Sequence, residues 1–164
     1  MKKDAYKIKS YNTLEHAGEF HDSTITQVEW ENDNLFLYFD WVAISYTHPN
    51  NDTGQFIETD ALVCFENVKI TKTQWHDDSK ATANALEKKK KSGDTSVCLH
   101  IEAGEIEIKD IDFFEAFSDL FIFSLNTEKN GETYICKING DKPPEWQNRQ
   151  IEFEYIDAYI CFNK

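Results

Sequence analysis

The sequence predicts an α+β fold: a mainly antiparallel β-sheet of about six or seven strands, joined as meander hairpins, with one or two short covering helices. Three observations carry this expectation. Runs of β-branched and aromatic residues recur along the chain, Asn, Asp and Gly punctuate them, and only two stretches break the pattern with helix-like composition. A chain of 164 residues with 12 Phe, 7 Tyr and 4 Trp is long and aromatic enough to bury its own core, so one domain over 1–164 is expected.

The first pair of strands runs over 24–31 and 35–46, joined by Asn32-Asp33-Asn34, three residues that tolerate positive φ in a short hairpin loop. In the second strand, alternation sends Leu35, Leu37, Phe39 and Trp41 one way and Phe36, Tyr38, Asp40 and Val42 the other. Both faces are then largely apolar at its start, which predicts a central strand covered on each side. A third strand spans about 61–71, and its phase shifts at Glu66-Asn67, the mark of a bulge or bend.

Residues 74–93 break the pattern. Asp77, Asp78 and Ser79 offer helix caps, helix formers fill 81–91, and Gly93 offers a stop, so this stretch is a docked helix or a loop. The Lys88–Lys91 run suits a solvated helix C-terminus. Strands are predicted over 96–102 and 105–109, with Gly104 marking a turn or a bulge between them. Asp112-Phe113-Phe114-Glu115 has capping-box spacing, and Ile111, Phe114, Phe117 and Phe121 supply one helical apolar face. Strands over 120–125 and 132–138 flank Asn130-Gly131, a strong hairpin signal. The stretch from Asn139 to Pro144 stops any strand, and a bent strand follows over 150–162, mixing phase at Ile156-Asp157-Ala158.

A formal net charge of −13 argues against direct nucleic-acid binding, which needs clustered Lys and Arg, and favours a basic protein partner. Cys64, Cys98, Cys136 and Cys161 lie far apart inside alternating runs, as small buried hydrophobes of a reducing compartment do. No apolar h-region follows the N-terminal lysines and no apolar run approaches the ~20 residues of a bilayer span, so a cytoplasmic location is expected.

The five histidines show no zinc-ligand spacing, no Gly-x-Ser-x-Gly elbow or phosphate-binding glycine loop occurs, and no cofactor is implied. A chance pair among 30 Asp and Glu leaves a small carboxylate enzyme open as an alternative. An oligomeric structural protein is a second. His21-Asp22 sits at the entry to the first strand, where Asp22 is expected to accept backbone hydrogen bonds.

Two groups are candidates for binding. Glu29 and Glu31, Glu105 and Glu107, and likewise Glu152 and Glu154 occupy alternate strand positions, so each pair projects together as an acidic face or rim. The Glu105/Glu107 and Glu152/Glu154 pairs, with Ile106 and Phe153 pointing inward, are the candidates. Trp75 and Trp146 fall in predicted loops beside polar residues, where an aromatic side chain either anchors a partner or folds back on the core.

Phe20-His21-Asp22-Ser23, the following strand with Ile25, Val28 and Trp30, Leu35-Phe36-Leu37 and the run from Leu62 to Val68 together resemble a class of small bacterial proteins. Those proteins open with a Leu-or-Phe-His-Asp-small motif and a β-meander, and include immunity proteins of polymorphic-toxin systems. The resemblance covers roughly residues 20–72. It implies a non-enzymatic protein that binds and neutralises a cognate toxin in the cytoplasm. It carries over no toxin-contacting residue.

Overall fold

The computed structural model describes residues 6–8, 19–44, 54–55, 57–77, 102–105, 113–144 and 147–162. These form strands β1 (Tyr6–Ile8), β2 (Ile25–Glu31), β3 (Asn34–Ile44), β4 (Ile57–Glu66), β5 (Lys69–Asp77) and β6 (Glu102–Glu105). Helix α1 (Phe113–Phe117) follows, then β7 (Phe121–Asn130), β8 (Thr133–Lys142), β9 (Gln147–Tyr155) and β10 (Asp157–Phe162). The strands make two five-stranded sheets, ordered β1-β10-β4-β3-β2 and β6-β5-β9-β8-β7, with every pairing antiparallel.

This corrects the expected α+β class, because the described structure is nearly all β. Each sheet covers the inner face of the other, so no helix is required over the core. The apolar spacing at Ile111, Phe114, Phe117 and Phe121 yields a helix of only five residues, since Phe121 already belongs to a strand. The predicted helix over 81–91 and the lysine run lie outside the described residues. Strand β5 extends through Asp77, so the first of the expected caps is a ladder residue. No helix among the described residues is long and apolar enough to cross a membrane.

The strand number was undercounted because two apolar runs bend from one sheet into the other. The first breaks at Asn67, which adopts φ 54° between β4 and β5. The second breaks at Ile156, whose N–H donates to the Glu66 carbonyl at 3.0 Å. Strands β4 and β10 pair on one side of this corner and β5 and β9 on the other, so the bends coincide and the ribbon turns as a unit. The hairpin turn between β2 and β3 braces it. Asn32 and Asp33 take φ 51° and 63°, as a type I′ turn demands. The Asp33 carbonyl then accepts Val68 N–H at 2.7 Å and Asn34 Oδ1 accepts Asn67 N–H at 3.2 Å.

The opposite edges meet at a second corner. Thr24 bridges to Phe121; Ile25 N–H donates to the Leu120 carbonyl at 3.0 Å and Ile122 N–H to the Ser23 carbonyl at 2.8 Å. Buried Ser23 holds the entry, donating from both its hydroxyl (2.5 Å) and its N–H (3.1 Å) to the Phe20 carbonyl. Asp22 contributes differently from the expectation. Its backbone has φ 70°, and its exposed carboxylate meets His21 Nδ1 at 3.0 Å, so the capping bonds fall to its neighbour.

Alternation places Val28, Leu35, Leu37, Phe39, Val63 and Phe65 of one sheet against Leu125, Cys136, Ile138, Ile151 and Phe153 of the other in one buried cluster. Phe65 packs edge-on to Phe153 (4.9 Å) and Tyr155 (5.1 Å) across the first corner. Phe117 of α1 is fully buried and meets Phe153 at 6.3 Å. Cys136 is buried as expected of a small hydrophobe, whereas Cys64 and Cys161 are only half-buried and Cys98 lies outside the described residues. The expected strand stop at Asn139-Gly140 is absent, because β8 continues through both to Lys142.

Candidate functional site

The described members of the predicted binding set lie on three neighbouring strands of the second sheet, Glu105 on β6, Trp75 on β5, and Glu152 and Glu154 on β9. Glu152 and Glu154 lie half-buried on the outer face of β9, with Phe153 buried between them. Glu152 stands between Lys72 of β5 and Lys137 of β8, and Glu154 is opposite Lys69. Cross-strand neighbours of opposite sign attract, so this pair sits in a ladder of alternating charge. Lys137 is further held by Glu128 Oε1 at 2.6 Å, a bond that raises its ammonium pKa. The shallow depression here, about 280 Å³, is lined by Lys72, Ser124, Lys137, Asn139, Gln150 and Glu152 together with Ile138 and Ile151.

Glu105 is the last residue of β6, opposite Gln74, while Glu107 and Trp146 lie outside the described residues. Trp75 is not in a loop. It sits half-buried within β5, opposite Gly104 and Arg149. Arg149 is largely buried, pairs with Glu115 at 3.3 Å and leaves its Nε without a hydrogen bond.

Charge is distributed unevenly between the sheets, which strand-by-strand reading of the sequence missed. Residues 19–44, 57–66 and 157–162, which build β2, β3, β4 and β10, contain ten Asp and Glu and no Lys or Arg. Lys7 on β1 is the only basic residue in the described part of that sheet. Residues 69–77, 102–105, 113–144 and 147–155, on the side of the second sheet, contain ten acids against six bases. The two sides carry equal numbers of acids, and the first differs in that bases do not offset them; Glu29, Glu31, Glu58 and Asp60 are exposed there. Tyr38 on this outer face has its phenol pKa raised, first by burial and then by the charge of Glu29, whose carboxylate accepts its hydrogen bond at 3.3 Å.

One aromatic residue stands out within this surface. Trp41 is 66% exposed and has φ 55°, a left-handed conformation unusual for a bulky side chain. The β3–β4 register skips between Phe39 and Val42, so Asp40 and Trp41 together oppose the single residue Asp60. This bulge is clamped from the residue that precedes β2: Asp40 N–H donates to the Thr24 carbonyl at 3.1 Å, and Asp40 Oδ1 accepts Thr24 N–H at 2.5 Å. On the other side of Thr24, Phe121 and Phe123 meet edge-on at 5.8 Å, with Phe123 38% exposed at a second bulge.

Simple alternation assigns Trp41 to the side of Leu35, Leu37 and Phe39. The bulge reverses the phase, burying Val42 and Ile44 and turning Trp41 outward. The signal was available: Val42 and Ile44 are apolar in the phase opposite to Leu35, Leu37 and Phe39.

The chain matches no family model, no curated protein and no solved structure. Among the described residues no three His, Cys, Asp or Glu side chains are grouped to hold a metal ion. The acidic face and its exposed tryptophan are suited to docking a cationic surface, by attraction over distance and aromatic contact at close range.

Proposed function

We propose that the chain is a non-enzymatic protein-binding module whose acidic sheet, β2-β3-β4, docks a basic partner, and that it acts in the cytoplasm as an immunity protein neutralising a cognate basic toxin. The observation that carries this reading is the concentration of ten carboxylates, without a Lys or Arg, in residues 19–44, 57–66 and 157–162. On the neighbouring sheet six Lys and Arg offset part of the acidic charge. A one-signed field instead speeds encounter with a surface of opposite sign and disfavours like-charged partners. The resemblance over residues 20–72 supports the toxin-neutralising role, because that stretch contains all of β2, β3 and β4.

The test is genetic and then physical. The gene is expected to lie beside one for a large secreted toxin, and co-expression is expected to protect cells from that toxin's isolated toxic domain. Association with that domain should slow as salt rises, since interactions between exposed charges are screened beyond about 10 Å at 0.1 M salt. A neighbouring toxin whose toxic domain kills equally with and without this protein contradicts the immunity reading.

A further inference from the structure

Trp41 combines two features that cost stability: a left-handed backbone at a residue with a bulky side chain, and exposure of a large aromatic surface. Its bulge is nevertheless fixed by two hydrogen bonds between Asp40 and Thr24. Bulges re-aim side chains, and exposed tryptophans are enriched among the residues that dominate binding energy. The surroundings state what chemistry would meet it. Asp60 opposes the bulge directly, Glu58 lies two residues along the same strand, and both are exposed.

We infer that Trp41 is the anchor of the docking surface and receives an arginine-bearing segment of the partner, a guanidinium stacking on the indole while Asp60 and Glu58 pair with the segment's positive charge. This rests on the acidic-sheet reading above and adds to it a contact point and a side-chain preference. Arginine is selected over lysine because a planar, weakly hydrated guanidinium stacks on an aromatic face and also pairs with carboxylates, whereas a compact ammonium keeps its water more tightly.

The full chain is titrated calorimetrically with nona-arginine and with nona-lysine, two peptides of the same charge. Nona-arginine is expected to bind several-fold more tightly. Trp41→Ala and Trp41→Gly are each expected to weaken nona-arginine by about fivefold to thirtyfold, while Glu128→Gln, on the other sheet, leaves it unchanged. Trp41→Gly is also expected to melt no lower than the parent protein, because glycine removes the left-handed strain, so its loss of binding is not a loss of fold. Equal affinity for the two peptides, or variants at Trp41 that bind nona-arginine as the parent does, would overturn the anchor and leave the acidic-sheet reading standing. A parent protein that binds neither peptide overturns both.

Discussion

Gly140→Ala is expected to destabilise the protein by about 3 kcal/mol or more, one of the largest effects available to a single added methyl group. A Cβ built at Gly140 would lie 2.2 Å from the Phe121 carbonyl oxygen and 3.2 Å from Leu120 Cγ. The first neighbour is backbone and cannot rotate away, so β7 and β8 must separate where Ile122 pairs with Gly140. The disturbance falls on the corner that joins the sheets, because Phe121 and Ile122 also hold Thr24 and Ser23. Denaturant unfolding measures it. Unchanged stability would show that the two strands do not approach so closely.

Phe65→Ala is expected to cost about 3–5 kcal/mol, the usual range for removing a buried phenylalanine side chain. Phe65 is fully buried at the bend from β4 into β5, with Phe153 and Tyr155 from the other sheet within 5.1 Å of its ring. Its removal leaves a cavity between two sheets whose strands turn the corner together, so collapse around the gap is restricted. A cycle with Phe153→Ala is expected to show coupling of about 0.5–1.5 kcal/mol, as edge-to-face pairs give. Strict additivity in urea-unfolding measurements would mean that the rings do not support one another across the corner.

Local chemistry was legible in the sequence wherever it was set by neighbouring residues. Asn32-Asp33 and the Gly of Asn130-Gly131 do form the tight hairpin turns that their tolerance of positive φ predicts. The phase slips at Glu66-Asn67 and Ile156-Asp157 do mark bends. Their consequence was not legible. A slip reports that a strand turns, not that a second strand from ninety residues away turns beside it, and only that coincidence makes two sheets from one expected meander. Gly140 shows the same limit: next to Asn139 and Asp141 it has turn-like composition, yet its lack of a side chain serves close strand approach.

The candidate site was less legible than the fold. Alternation identified Glu152 and Glu154 as a projecting pair, but the lysines opposite them come from β5 and β8, distant in sequence. The acidic surface is likewise diluted in sequence order, because its carboxylates are shared among three separated segments. Trp41 was concealed by a regular pattern into which it fits until Val42 and Ile44 are counted. Their burial requires the bulge, and the bulge exposes the tryptophan.

Cationic partners are expected to meet the first sheet and not the second. Amide chemical shifts of the isotopically labelled full chain, followed as nona-arginine is added at low salt and again at high salt, test it most directly. Shifts are expected to concentrate in β2, β3 and β4, to be strongest around Asp40–Val42 and Glu58–Asp60, and to fade as salt is raised. Shifts centred on Lys137, Glu152 and Glu154, or spread equally over both sheets, would contradict it.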